Sequence, residues 1–274
     1  MAASDSSADR LVVATWNINS IRSRLPLVER FVAAYAPDVL LLQETRCPDA
    51  QFPTSGLDKL GYPHVVVNGR KGHHGVAIAA KRPITDVMRE NLADIDEGRH
   101  IAGAVEVGGR KVVLHSLYIP SGGDEPDPAV NPKFAAKLAY LEAFAPWSRT
   151  AAAVPSLVGG DFNVAPLPED VWSHKQLLKV ISHTPEETER LDAAQNAGSW
   201  VDVVRRDLPP PEKVFTWWSY RNRDHTVSNR GRRLDHMWAS PSLADRVSGI
   251  RVVPEARSWE KPSDHVPVLV TISG

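Results

Sequence analysis

Short apolar runs, each flanked by side chains with oxygen or nitrogen ligands, recur from one end of this chain to the other. Residues 11–16 lead into Asn17-Ile18-Asn19, residues 38–43 into Glu44, and residues 156–160 into Asp161-Phe162-Asn163; residues 234–239 and 266–272 lie beside Asp235-His236 and Asp264-His265. Runs of this length and composition are buried strands. Polar groups carried at so many strand ends can act together only if those ends share a rim. The pieces come from both ends of the sequence, so the expectation is one α/β domain over residues 11–274, preceded by a flexible segment, residues 1–10.

Between these runs the periodicity changes. Leu25, Val28, Phe31, Val32 and Tyr35 recur at helical spacing, and Pro37 closes the segment. Residues 64–67, 75–81, 101–107, 111–118 and 250–253 read as further strands. Gly108-Gly109 between two of them is a hairpin signal, so this part of the sheet should be antiparallel. A helix is expected over residues 133–145, with Pro146 helping to end it. Thr184-Pro185-Glu186-Glu187 reads as a helix start, with an N-cap, a first-turn proline and acids facing the positive end of the dipole.

No stretch approaches 18 consecutive apolar residues, and the first residues lack the basic and apolar regions of a secretory signal. A soluble, cytoplasmic protein without a membrane partner is expected. Cys47 is the only cysteine, which excludes an internal disulfide and a cysteine-based zinc site. With 32 basic and 33 acidic residues, overall charge carries no nucleic-acid signal. The segment 217–236 carries one: five arginines (Arg221, Arg223, Arg230, Arg232, Arg233) stand against two aspartates (Asp224, Asp235), with aromatic residues alongside.

Hydrolysing a phosphodiester requires negative charge to be stabilised on the phosphoryl oxygens, a water held in line and help for the leaving oxygen, together worth roughly 8–23 kcal/mol. A hard divalent cation supplies much of this, and Mg²⁺ takes one or two carboxylates while keeping several waters. Glu44, at the end of its strand, is the first ligand candidate. In Asp161-Phe162-Asn163 the polar pair shares one face of an extended chain while Phe162 enters the core, and Asn17 and Asn19 repeat the pattern around Ile18. The plainer reading of either pair is a loop capped by side-chain to backbone hydrogen bonds. Asp264 and His265 are sequential and face opposite ways, so that one can reach a metal or its waters and the other a phosphate. Asp235 is the candidate carboxylate to orient the histidine. The proton acceptor is either Asp161 or a His265–Asp235 pair, and one metal or two would serve.

These stretches, with His74-Gly75-Val76-Ala77, Tyr118-Ile119-Pro120-Ser121-Gly122, Thr216-Trp217-Trp218-Ser219-Tyr220-Arg221 and Asn229-Arg230-Gly231-Arg232-Arg233-Leu234-Asp235, agree in order and spacing with a known pattern. The chain resembles the exonuclease III family of apurinic/apyrimidinic endonucleases, within the endonuclease/exonuclease/phosphatase superfamily, over residues 11–272. The resemblance implies a four-layered α/β sandwich, two packed mixed β-sheets flanked by helices as in deoxyribonuclease I. It implies a DNA repair hydrolase that cuts duplex DNA 5′ to abasic sites, with 3′–5′ exonuclease and 3′-phosphatase or 3′-phosphodiesterase activity, using Mg²⁺ with Mn²⁺ as a substitute and acting as a monomer.

By position, the resemblance makes Glu44 the principal metal ligand, with Asn19 and Asp264 as direct or water-mediated contributors. Asp161 matches the residue that orients or deprotonates the water and Asn163 its phosphate-binding neighbour, both also candidates at the metal. His265 matches a phosphate-contacting histidine, Asp235 its orienting aspartate, Tyr118 a tyrosine at the phosphate and Asn17 a ligand-organising asparagine. Ser20 and Ser121 depart from the pattern, where glycine and a longer amide side chain are frequent, and bear on substrate contacts.

Phosphate contacts would come from Arg22, Arg24, Lys71 and the arginine-rich loop, through Arg221, Arg230 and Arg232. His74 is implied as a wall of the site. Of Trp217 and Trp218 only one can face inward in extended chain; Trp217 is expected at the site, where stacking is worth roughly 1–3 kcal/mol. Two rival readings remain. A superfamily member acting on inositol phosphates or sphingomyelin would share the acids but not explain the tryptophan and arginine stretches. A binding module without catalysis should have lost one of the acids that are all present here.

Overall fold

The computed structural model describes residues 9–221 and 224–274. Its strands, in chain order, are β1 Arg10–Asn17, β2 Val39–Gln43, β3 His64–Asn68, β4 Val76–Ala80, β5 Thr85–Met88, β6 His100–Val107, β7 Arg110–Tyr118, β8 Ser156–Asp161, β9 Val201–Asp202, β10 Asp235–Ala239, β11 Val247–Val252 and β12 Val268–Ser273. They form two six-stranded sheets, ordered β11-β12-β1-β2-β4-β3 and β5-β6-β7-β8-β10-β9. Both are mixed: β1 is parallel to β2 and β7 to β8, while the other pairs are antiparallel.

Alternation within the strands builds the layers. Leu11 and Val13 of β1 join Val39, Leu41 and Ile78 against Leu114, Leu157 and Met237 between the two sheets. Ala14 and Trp16 point the other way and pack under the helix Ile21–Tyr35 through Val28 and Phe31. On the far side, Leu117, Val158, Phe162 and Trp238 are covered by the helices Pro132–Ala151 and Pro185–Ala197 through Tyr140, Phe144 and Leu191. Four layers result, the architecture that the resemblance implies. Each large side chain so buried contributes roughly 1.5–3 kcal/mol.

The two ends of the chain meet in the first sheet, where β1 pairs with β12 from Arg10↔Ser273 to Thr15↔Val268. Gly274 N also donates to Asp9 O at 2.7 Å, so order begins before residue 11; of the flexible segment expected over residues 1–10, residues 1–8 lie outside the described residues. The hairpin signal holds: β6 and β7 are antiparallel, and Gly108 and Gly109 have φ of 57° and 72°.

Two helix boundaries differ from expectation. The first helix starts at Ile21, with a kink at Arg24 and Pro26 inside it. The helix expected to stop near Pro146 continues to Ala151. Pro146 is exposed, and a proline inside a helix leaves one carbonyl of the preceding turn without its N–H donor. The turn beyond it is held by Trp147 stacked on Phe144 and by Ser148, which donates to Ala194 O and accepts from Trp200 Nε1. Among the described residues no helix is long and apolar enough to cross a membrane.

Candidate active site

Strand register delivers the polar groups to one rim. Asn17 ends β1 opposite Gln43 of parallel β2, Tyr118 ends β7 opposite Asp161 of parallel β8, and Asp235 begins β10 opposite Asp161. A Cβ on Gly160 would lie 1.9 Å from Leu117 O, so only glycine lets β7 and β8 hold this register. A cavity of about 660 Å³ opens over the rim, lined in part by Glu44, Tyr118, Asn163, Trp217, Asp264 and His265.

Asn17 sits at the centre, fully buried. Its Nδ2 donates to Glu44 Oε1 and to Asp161 Oδ2, both at 2.9 Å. Tyr118 Oη donates to Glu44 Oε1 at 3.0 Å, and Arg46 pairs with Glu44 Oε2. On the other side His265 Nδ1 meets Asp235 Oδ2 at 2.8 Å, which leaves Nε2 facing Asp161 Oδ2 at 3.6 Å. Asp264, turned the opposite way as sequential residues must be, accepts from Trp217 Nε1 and Asn19 Nδ2 at 3.0 Å each.

Both Asn/Asp pairs combine the plain and the functional reading. Asn17 Oδ1 accepts from Asn19 N, and Asp161 Oδ1 from Asn163 N, as in capped loops. Asn19 and Asn163 are not extended, however; their φ values of 47° and 53° lie in the left-handed region that asparagine tolerates. Asn19 therefore points to Asp264 and Tyr220. Asn163 Nδ2 is committed to Ile119 O and Asp161 Oδ2, so a phosphate contact from it requires one of these bonds to be released.

The electrostatics follow from the packing. Burial raises the Asp161 carboxyl, the Asp235 and Glu44 carboxylates add to the rise, and His265 and Asn17 oppose it; the result is about 7. Burial alone would lower His265, but Asp235 and Asp161 outweigh it and hold the imidazole well above its ordinary range. Burial also works against the charged form of Glu44, yet Asn17, Arg46 and His265 bring its pKa below the usual value. Tyr118 is raised by burial and by Glu44, so it stays a phenol and a donor.

The donor set suits a hard cation. Glu44, Asp161, Asp235 and Asp264 bring four carboxylates around His265, and Asp235 Oδ1 is a buried oxygen without a hydrogen-bond partner. Ligand atoms of Asp161, Asp235 and His265 lie within 4.8 Å of one another. Since His265 and Asp235 already bind each other, Glu44 and Asp161 are the better pair of oxygen donors. Asn19 and Asp264, the further candidates at the metal, bind each other, and Asp264 accepts from Trp217 while Asn19 donates to Tyr220, so both lie at the edge of the same rim.

The cations read as DNA contacts divide. Arg22 and Lys71 are exposed, and Arg221 is exposed at the cavity. Arg230 is exposed and stacks on Trp172 at 4.8 Å, and Arg232 stacks on Trp217 at 5.3 Å. Arg24 is half-buried and its guanidinium donates to Asn19 O, Lys261 O, Pro262 O and Tyr220 Oη, so it staples loops together. Arg233 is fully buried, bound to Asp170 and Asp202, and Arg223 lies outside the described residues. Trp218 is the inward tryptophan and Trp217 the one at the site. His74 lines the cavity beside Glu97.

Sequence reasoning missed several supports. Ser263 Oγ donates to Asn17 O at 2.7 Å, tying the Asp264-His265 loop to β1, and Thr216 Oγ1 accepts from Asp235 N at 3.0 Å. Lys137, fully buried, donates to Asn163 O at 2.7 Å and pairs with Glu187. A lysine between Phe134, Leu138 and Leu141 was the available signal for this last one. Arg46, two residues after Glu44, was another.

The sequence matches the endonuclease/exonuclease/phosphatase family over residues 14–265. It is 32% identical over 266 residues to the exodeoxyribonuclease III of Haemophilus influenzae, covering 93% of this chain and 97% of that protein. The fold is similar to that of an AP endonuclease from Archaeoglobus fulgidus, with a TM-score of 0.85, 33% identity, and 96% of this chain and 99% of that one covered. It is equally similar to a 3′ phosphatase from Neisseria bound to product DNA hairpin, with a TM-score of 0.85, 30% identity, and 96% and 100% covered.

Proposed function

Because the chain belongs to the endonuclease/exonuclease/phosphatase family, we propose that it is a metal-dependent DNA repair nuclease that hydrolyses the phosphodiester 5′ to an abasic site in duplex DNA. The same centre would act at 3′ ends as an exonuclease and as a 3′-phosphatase or 3′-phosphodiesterase. The observation that carries this reading is Asn17 joining Glu44 to Asp161 at 2.9 Å each, across from a His265 held by Asp235. The named activities of the similar proteins support it, and the Trp217–Arg232 wall supports DNA over a small phosphoester.

Glu44, with Asp161 as the second oxygen donor, would hold Mg²⁺ or Mn²⁺, which when bound neutralises charge on the phosphoryl oxygens. Asp161, its carboxyl raised to about 7 by burial, would orient an attacking water and accept its proton. His265 Nε2, its ring fixed and charged by Asp235, donates to a phosphoryl oxygen. Asn17 and Tyr118 keep Glu44 in place.

The test is a duplex carrying one natural abasic site, incubated with Mg²⁺ and in parallel with a chelator. A metal-dependent cut 5′ to the site, leaving a 3′-hydroxyl, is expected. No cut, together with turnover of an inositol phosphate, would overturn the proposal.

A further inference from the structure

Lys137 and Glu187 form a fully buried ion pair that joins the helices Pro132–Ala151 and Pro185–Ala197. Two charges are costly to bury, and well-packed apolar residues of similar volume often hold two elements together as well or better. The charges do something that apolar residues cannot: they bind backbone. Lys137 Nζ donates to Asn163 O at 2.7 Å and to Ser121 O at 3.4 Å. Glu187 accepts from Ser182 N at 2.8 and 2.9 Å, from Thr184 N at 3.1 Å and from Thr184 Oγ1 at 2.8 Å. Ser121, Asn163 and Ser182 all line the catalytic cavity.

The backbones held in this way are ones that need holding. Asn163 and Ser182 have φ of 53° and 85°, in the left-handed region that favours glycine. Such conformations persist only where the surroundings over-determine them. Here one ion pair serves both, the ammonium taking the carbonyl of Asn163 and the carboxylate the amide of Ser182. Ala165 N closes the circuit by donating to Ser182 O at 2.7 Å. The turn at Asn163 in turn aims Asp161: Asn163 N donates to Asp161 Oδ1 at 2.9 Å, and Asn163 Nδ2 donates to Asp161 Oδ2 at 3.2 Å.

We infer that Lys137 and Glu187 are positioning residues for phosphodiester hydrolysis, clamping the turns at Asn163 and Ser182 to each other and so fixing the Asp161 carboxylate where it meets the attacking water. This rests on the role proposed for Asp161 and deepens it. Both side chains are fully buried, so neither touches substrate, and their effect passes through the turns. Misplacing a reacting group by about 1 Å can cost roughly 100-fold in rate. The exposed cations that would contact phosphates are untouched, so the loss falls on kcat rather than on KM.

The experiment compares the unaltered protein with Lys137→Met, Lys137→Met/Glu187→Gln and Lys137→Arg. Each is measured for Tm, for kcat and KM on an abasic duplex with Mg²⁺, and for hydrogen exchange at the Asn163 amide relative to the amides of β8. Lys137→Met leaves a buried carboxylate unpaired and should lower Tm by roughly 10 °C. Adding Glu187→Gln removes that charge and keeps acceptors for Ser182 and Thr184, so most of the Tm should return while Asn163 O still lacks its donor. In both methionine variants kcat should stay down roughly 10- to 100-fold with KM within about threefold. Their Asn163 amide should exchange at least about tenfold faster relative to β8. Lys137→Arg, which keeps a charged donor, should recover most of the kcat lost in Lys137→Met. Recovery of kcat together with Tm in the double variant would overturn the inference, as would Asn163 exchange that changes only in step with β8. So would a folded Lys137→Arg as slow as Lys137→Met. If the unaltered protein cuts no abasic duplex, the nuclease reading falls, and the exchange data still decide whether the ion pair holds the turn.

Discussion

Replacing Asp235 with asparagine would take one negative charge from behind His265 while leaving an acceptor where the 2.8 Å hydrogen bond is now. Opposite unit charges about 4 Å apart at an effective dielectric near 20 attract by roughly 4 kcal/mol, and about 1.4 kcal/mol corresponds to one pKa unit, so the imidazolium should lose about 3 units. In the unaltered protein burial lowers this group, but Asp235 and Asp161 more than reverse it. A raised pKa means that the charged ring persists below that value and is lost only as pH rises through it. In Asp235→Asn the loss moves to lower pH, so less of the ring is charged at neutral pH. Removing one charged donor from a developing phosphoryl charge should slow single-turnover incision by roughly 10²–10³-fold. Asp235 also raises Asp161, so its removal lowers that carboxyl too, and the variant's rate should recover as pH falls below neutral until Asp161 is protonated. The assay is single-turnover incision across pH, paired with an NMR titration of the His265 ring. An unchanged titration, or a variant equally slow at every pH, would refute the electrostatic argument.

Further outcomes follow from the same geometry. Asp161→Asn should cut incision by at least about 10³-fold while duplex affinity, measured with a chelator present, stays within about tenfold; unchanged incision would take Asp161 out of the mechanism. Ser20 holds φ of 87°, which costs a non-glycine residue roughly 1–3 kcal/mol, so Ser20→Gly should raise Tm by several degrees, and a Tm at or below the original would contradict that. Burial opposes ionisation of Asp170 and Asp202, but Arg233 overrides it and lowers both. Their stabilisation is therefore complete above the unfolded carboxyl value of about 3.9 and is lost as pH falls through the folded values. Arg233→Met should cost roughly 3–5 kcal/mol at neutral pH, with a smaller deficit in acid; equal deficits in denaturant titrations at both pH values would count against the network. Arg221→Ala should weaken DNA binding regardless of sequence and lower the salt slope by about 1, and an unchanged slope would mean that Arg221 touches no phosphate.

The strands were legible in the chain itself, whereas their stacking into layers was implied by the family resemblance. A strand buried on both faces must be apolar on both, so the runs at residues 11–16, 38–43 and 156–160 announced central strands, and Gly108-Gly109 announced a hairpin. The candidate chemistry was also legible, because Glu44, Asp161-Phe162-Asn163 and Asp264-His265 are residue types with few other reasons to follow such strands. Pro146 was misread because whether a proline ends a helix depends on what holds the next turn, here Phe144, Ala194 and Trp200. Most of all, the sequence did not say which arginines are free. Arg24, Arg221, Arg232 and Arg233 are chemically alike, yet one staples loops, one faces water, one stacks on Trp217 at the cavity wall and one is locked in the core. Residue type and local pattern determine which strands and ligands exist. Their partners, such as Asn17 and Asp161 at 144 positions apart, are decided only by which strands pack side by side, because charge belongs to one residue while its neutralisation belongs to two.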